Sequence, residues 1–162
     1  MAEALAALER IARNAHRFSD PERAAPPETR HPFQVRDIHD SLPEKVCDLF
    51  DDGHYAQATS EAYKFIDSEV RRLSKIEKTG FKLMMEALNG EGPPKLKLNE
   101  LGTLSEKDEQ EGYRFLFAGG MLAIRNPRGH EEIDDDLETC LAHLSLATLL
   151  MRRLERAGYK LS

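Results

Sequence analysis

The sequence predicts an all-α protein, and three observations carry that prediction. Apolar residues recur at three- and four-residue intervals through each long segment. No stretch alternates convincingly with period two, as a half-buried strand would. Glycine and proline signals fall where the periodic runs stop.

Each element follows in order. Residues 1–18 are predicted to form an amphipathic helix, with Leu5, Leu8, Ile11, Ala12 and Ala15 on one face. A free helix of about seventeen residues is marginal in water, so this one should dock on something. Residues 19–30 contain Asp20-Pro21 and Ala25-Pro26-Pro27 and are expected to be a linker. The main domain then covers residues 31–162.

Within it, Ser41 and Glu44 have the spacing of a capping box, with Pro43 in the first turn, and Gly53 should end that helix. A longer helix runs from about His54 to Ile76 along the stripe Tyr55, Ala58, Ala62, Phe65, Ile66, Val70 and Leu73. Gly80 to Leu88 is a shorter helix. Residues 91–104 are irregular, with Leu96, Leu98, Leu101 and Leu104 expected to pin them to the core.

Ser105 with Asp108 should cap the next helix, which carries Tyr113, Phe117, Met121 and Ile124 inward and stops at Arg125. Gly119-Gly120 costs that helix about 1 kcal/mol per glycine relative to alanine, so the pair implies a close helix–helix approach. Pro127 disfavours helix at Asn126, which predicts a turn there. The acidic run Asp134-Asp135-Asp136 opens the last helix, where negative charge complements the dipole, and Gly158 ends it.

Composition narrows the function classes. The 162 residues carry a net charge of −6, which argues against broad non-specific nucleic-acid binding but leaves room for a local basic cleft. No apolar run is long enough to span a membrane, and the start is unlike a secretory signal, so a cytoplasmic protein is expected. The two cysteines, Cys47 and Cys140, fit buried thiols in a reducing compartment. The histidines form no metal-ligand spacing, and the aspartate run lacks a calcium-loop pattern, so no metal or cofactor is expected.

The chemistry-bearing feature is Arg125-Asn126-Pro127-Arg128-Gly129-His130-Glu131. An arginine and a histidine brought together at a helix end suffice to cleave RNA without a metal. Arginine holds phosphate oxygens with a permanently charged planar fork. Histidine titrates near neutral pH and moves protons. The RNA 2′-hydroxyl is itself the nucleophile. Asn126 can orient His130 or bind a phosphate oxygen. Arg128, Glu131 and Lys64 are weaker candidates for RNA contacts.

The order of motifs is more specific than any one of them. His31-Pro32, Leu49-Phe50, Gly53-His54-Tyr55, Lys82-Leu83-Met84, Leu96-Lys97-Leu98-Asn99, Asp108-Glu109-Gln110-Glu111-Gly112 and Ala123 through Glu131 occur in turn. Over residues 31 to 156 the chain resembles the Ymh-type family of bacterial and phage-associated hypothetical proteins, a branch of the HEPN superfamily. The resemblance implies a compact helical bundle that commonly forms a homodimer. Many HEPN proteins are metal-independent endoribonucleases of toxin–antitoxin, abortive-infection and CRISPR systems. Their signature is Arg, a polar residue, three to five further residues, then His; Arg125, Asn126 and His130 match it. The implied partners are RNA, a second copy with the motifs paired in one cleft, and an antitoxin or other defence protein, with no membrane. The implied products are a 2′,3′-cyclic phosphate and a 5′-hydroxyl. The alternative is a non-catalytic HEPN module that binds RNA, a nucleotide or a partner protein.

Overall fold

A computed structural model of the protein describes residues 30–89, 93–130 and 133–162. The expected N-terminal helix and linker lie outside the described residues. Among the described residues the fold is all-helical with no strand. The elements are α1 (Pro32–Val35), α2 (Glu44–Asp51), α3 (Tyr55–Ser74), α4 (Gly80–Ala87), α5 (Leu104–Gly119), a π-helical segment (Gly120–Arg125), α6 (Asn126–His130) and α7 (Leu137–Arg156). No helix of the described residues is long and apolar enough to cross a membrane.

The long helix α3 is central, packing against α2, α4, the π segment, α6 and α7. Its stripe residues Ala58, Ala62, Ile66 and Val70 are buried as the 3.6-residue period requires. Two apolar clusters flank it. One joins Tyr63, Ile66, Leu83, Met84, Phe117, Met121, Leu150 and Leu154. The other joins Val46, Phe50, Ala58, Cys140, Leu141 and Leu144. Each fully buried Leu or Phe contributes about 2 kcal/mol. An exposed ion pair such as Arg36–Glu138 contributes about 0–1 kcal/mol. The apolar faces therefore hold the bundle.

Several ends fall where glycine predicts them. Gly53 and Gly158 take positive φ after α2 and α7. Asp136 caps α7 by accepting from the Thr139 N–H (2.7 Å). Two other caps differ from expectation. Helix α2 starts at Glu44 with Pro43 in the cap position, and no side chain bonds there. Helix α5 is capped by Thr103 with Glu106 in a reciprocal capping box, two residues ahead of the expected Ser105. That shift leaves Leu104 exposed at the helix start instead of pinned to the core.

The irregular stretch is held by Leu96 and Leu98, both buried, and by Gln110. The Gln110 amide accepts from the Leu98 N–H (2.8 Å) and donates to the carbonyls of Leu96 (3.0 Å) and Leu88 (3.3 Å). A buried amide satisfied on both ends turns a loop into part of the core.

The largest departure lies at Pro127. The expected turn at Arg125 is absent, and the chain continues helically. Asn126 is αR (φ −64°, ψ −46°), and its N–H reaches back five residues to the Met121 carbonyl. Pro127 thus falls second in α6, where its fixed φ suits the helix but its ring supplies no N–H to the ladder. The wider π turn ahead of it relieves the contact between the proline ring and the preceding carbonyls.

The glycine pair splits into two roles. A Cβ on Gly120 would lie 2.8 Å from Tyr63 Cε1, so this glycine makes the close approach expected of the pair. A Cβ on Gly119 meets nothing within 4 Å.

Candidate functional site

Arg125 is the last residue of the π segment and is half-buried. π turns are enriched at functional sites because the extra residue re-aims side chains. Among the described residues, the one hydrogen bond of the Arg125 guanidinium is to Asn126 Oδ1 (3.2 Å), and it has no carboxylate partner. By contrast, Arg36, Arg71, Arg72, Arg114, Arg128, Arg152 and Arg153 all sit against carboxylates. Arg125 therefore keeps most of its five donors available to an anion. Asn126 is half-buried beside it.

His130 closes α6 and is described by its backbone alone. Helix α6 places it four residues on from Asn126, about one helical turn away. Glu131 lies outside the described residues.

Arg128, a weaker candidate for RNA contact, is held by a buried carboxylate. Its guanidinium is bidentate to Asp135, Nε to Oδ2 and Nη2 to Oδ1, both at 2.6 Å. The side chains of the pair are 7% and 4% exposed. Arg128 Nη1 also donates to the Ile124 carbonyl (2.8 Å), and Nη2 lies 3.3 Å from His143 Nδ1. An arginine can only donate, so Nδ1 is the unprotonated ring nitrogen. Burial first, and the Arg128 charge second, push the His143 pKa down. Both hold the ring neutral. Taking two charges out of water is repaid only by such well-made geometry, and deleting one partner of a pair like this costs about 3–5 kcal/mol.

The network continues inward. Tyr63 Oη donates to the His143 carbonyl (3.2 Å), and burial pushes its pKa up. Thr59 Oγ1 donates to Cys140 Sγ (3.5 Å), whose pKa burial also raises. The Cys140 thiol is thus a packed group and a poor nucleophile. Cys47 is free and half-buried.

Lys64 lies on α3, exposed, with Nζ 2.7 Å from Glu61 Oε1; Lys45 takes the other oxygen at 3.2 Å. The hydrogen bond from Lys64 leads the contacts that hold the Glu61 carboxyl below its ordinary range. Helix α3 packs on α6, but Lys64 makes no described bond to the Arg125–Asn126 pair.

Asp135 and His143 escape a reading of the sequence. The available signal is that three consecutive aspartates exceed what one helix start requires, since Asp136 alone supplies the cap.

An apolar face leads to the site. Along α5 and the π segment, Phe115 (55% exposed), Leu116 (44%) and Leu122 (55%) share one side with Gly112, Gly119 and Ala123. Their spacing of three and four residues makes a stripe that ends one turn before Asn126.

One comparison identifies relatives. The family model Hypoth_ymh, described as a protein of unknown function, matches residues 36–154. No curated protein and no solved structure matches the chain.

Proposed function

The chain belongs to the Hypoth_ymh family, and we propose that it is a HEPN-type, metal-independent endoribonuclease acting as a homodimer in a defence or toxin role. The observation that carries this reading is the Arg125 guanidinium. It has no described carboxylate partner and stands at the end of the π-helical segment, near where an exposed apolar stripe ends. Phe115, Leu116 and Leu122 are the kind of side chains a second copy would cover, and Gly112, Gly119 and Ala123 allow close approach. Two-fold pairing of that face would bring two Arg125–His130 segments near one axis.

On this reading Arg125 binds the scissile phosphate and stabilises the charge that develops on it. One His130 removes the 2′-hydroxyl proton, and the other protonates the departing 5′-oxygen. Asn126 orients the guanidinium through the bond already present. The products are a 2′,3′-cyclic phosphate and a 5′-hydroxyl. An antitoxin or another defence protein would restrain the activity.

End-labelled RNA incubated with the protein in EDTA tests this directly. Wild type is expected to cleave and to leave cyclic-phosphate ends. Arg125→Ala and His130→Ala are each expected to lose at least about 100-fold in rate, as loss of a charge-stabilising or proton-transfer group does. Equal cleavage by the variants, or none by wild type across a varied RNA pool, shifts the reading to a module that binds RNA, a nucleotide or a partner protein without cutting.

A further inference from the structure

We propose that the Arg128–Asp135 pair is a positioning clamp that sets the backbone of the helical Arg125–His130 segment. The structural content of this proposal stands alone; its catalytic consequence rests on the ribonuclease reading above.

Helix α6 is the five-residue end of a helical run that starts at Leu104, and the last turn of a helix frays unless its end is tied down. Pro127 removes one of its backbone donors, and the π turn before it interrupts the regular hydrogen-bond ladder. Something outside the helix must define its geometry. Arg128 reaches the three segments around it. Nη1 holds the Ile124 carbonyl in the π segment, Nε and Nη2 hold Asp135 beyond α6, and Nη2 approaches His143 on α7. Asp135 is itself anchored, because the next residue, Asp136, caps α7. The guanidinium therefore ties the candidate segment to a twenty-residue helix.

An apolar pair would stabilise the bundle as well. It would not impose direction. A planar fork on a carboxylate fixes distance and rotation at once. Arg125 closes the π segment three residues before Arg128 and His130 closes α6 two residues after it, so a shift of α6 against the π segment changes the placement of one relative to the other. Misplacement of reacting groups by about 1 Å costs about 100-fold in rate. Arg128 and Asp135 are positioning residues on this account, since neither is available to touch RNA.

Amide hydrogen exchange and RNA kinetics on Asp135→Asn and Arg128→Lys test the clamp. Asp135→Asn keeps the size of the original and Arg128→Lys keeps its charge, and each loses the bidentate fork. The amides of Asn126, Arg128, Gly129 and His130 are expected to exchange at least about tenfold faster over and above any uniform acceleration in α3 and α7. In the same variants kcat for RNA, counted per folded molecule as measured by circular dichroism, should fall about 100-fold while KM moves less than about threefold. Unchanged exchange at those four amides in a folded variant overturns the proposal. So does global unfolding of both variants, which would make the pair a support of the whole bundle. If wild type does not cleave RNA, the ribonuclease reading fails and the exchange measurement still decides the clamp.

Discussion

At the scale of single residues, Gly119 and Gly120 separate two effects that the sequence merges. Both cost helix propensity, so alanine at either position gains about 1 kcal/mol in a solvated helix. At Gly119 nothing opposes that gain. At Gly120 the new methyl meets the Tyr63 ring at 2.8 Å, and Tyr63 is fully buried with its hydroxyl bonded to the His143 carbonyl. Neither partner can give way without moving the other helix. Overpacking of this kind costs about 1–3 kcal/mol. Urea denaturation should therefore give opposite signs, Gly119→Ala more stable than wild type and Gly120→Ala less stable. A destabilised Gly119→Ala protein would mean that its side of the helix is covered by a partner under the conditions used. Arg125 and Arg128 make the same point about composition. Three residues apart, one is left without a described carboxylate and one is buried in a bidentate pair, and nothing in the residue type distinguishes them.

At the scale of elements, periodicity places helices well and places their ends less well. The stripes of α3, α5 and α7 are legible because burial follows a 3.6-residue repeat. The start of α5 is ambiguous on local rules, since Thr103 with Glu106 and Ser105 with Asp108 are both plausible caps. Glu106 decides it. Its carboxylate accepts from the Gly102 N–H (2.7 Å) and the Thr103 N–H (3.0 Å), which the alternative start would not provide. Thr103→Ala is then expected to cost about 1 kcal/mol by thermal or urea denaturation, with Ser105→Ala near neutral. These backbone bonds, Thr103 first, hold the Glu106 carboxyl below its ordinary range. Their contribution is present above the unfolded carboxyl's pKa and is lost as pH falls through the lowered folded value, so the effect of Glu106→Ala should shrink in acid. The segment at Pro127 was not legible for a different reason. The rule that proline disfavours αR in the residue before it is a local steric preference, and Asn126 takes αR (φ −64°, ψ −46°) against it within a helical run that continues through the π turn. The candidate motif residues were legible as residues, but their setting in a helix, and the partner held by Arg128, depend on Asp135 arriving from seven residues away.

At the scale of the whole molecule, the proposed chemistry needs two copies, because one chain supplies one His130 where acid and base are both required. The exposed stripe of Phe115, Leu116 and Leu122 makes the requirement testable without disturbing the core. Leu122→Glu changes a side chain that already faces solvent in the single chain, so folding should survive while sedimentation reports a monomer. Mixing then separates a shared site from two independent ones. When wild type and His130→Ala are exchanged in equal amounts at constant total protein, about a quarter of randomly formed dimers carry two histidines. A site that draws acid from one subunit and base from the other should retain about a quarter of the wild-type rate. Independent sites should retain about half. The double variant Leu122→Glu, His130→Ala supplies the control, since a chain that cannot pair only dilutes the wild type and leaves about half its rate. A mixture with His130→Ala that tracks this control would place each active site within a single chain, and the apolar stripe would then need a different partner.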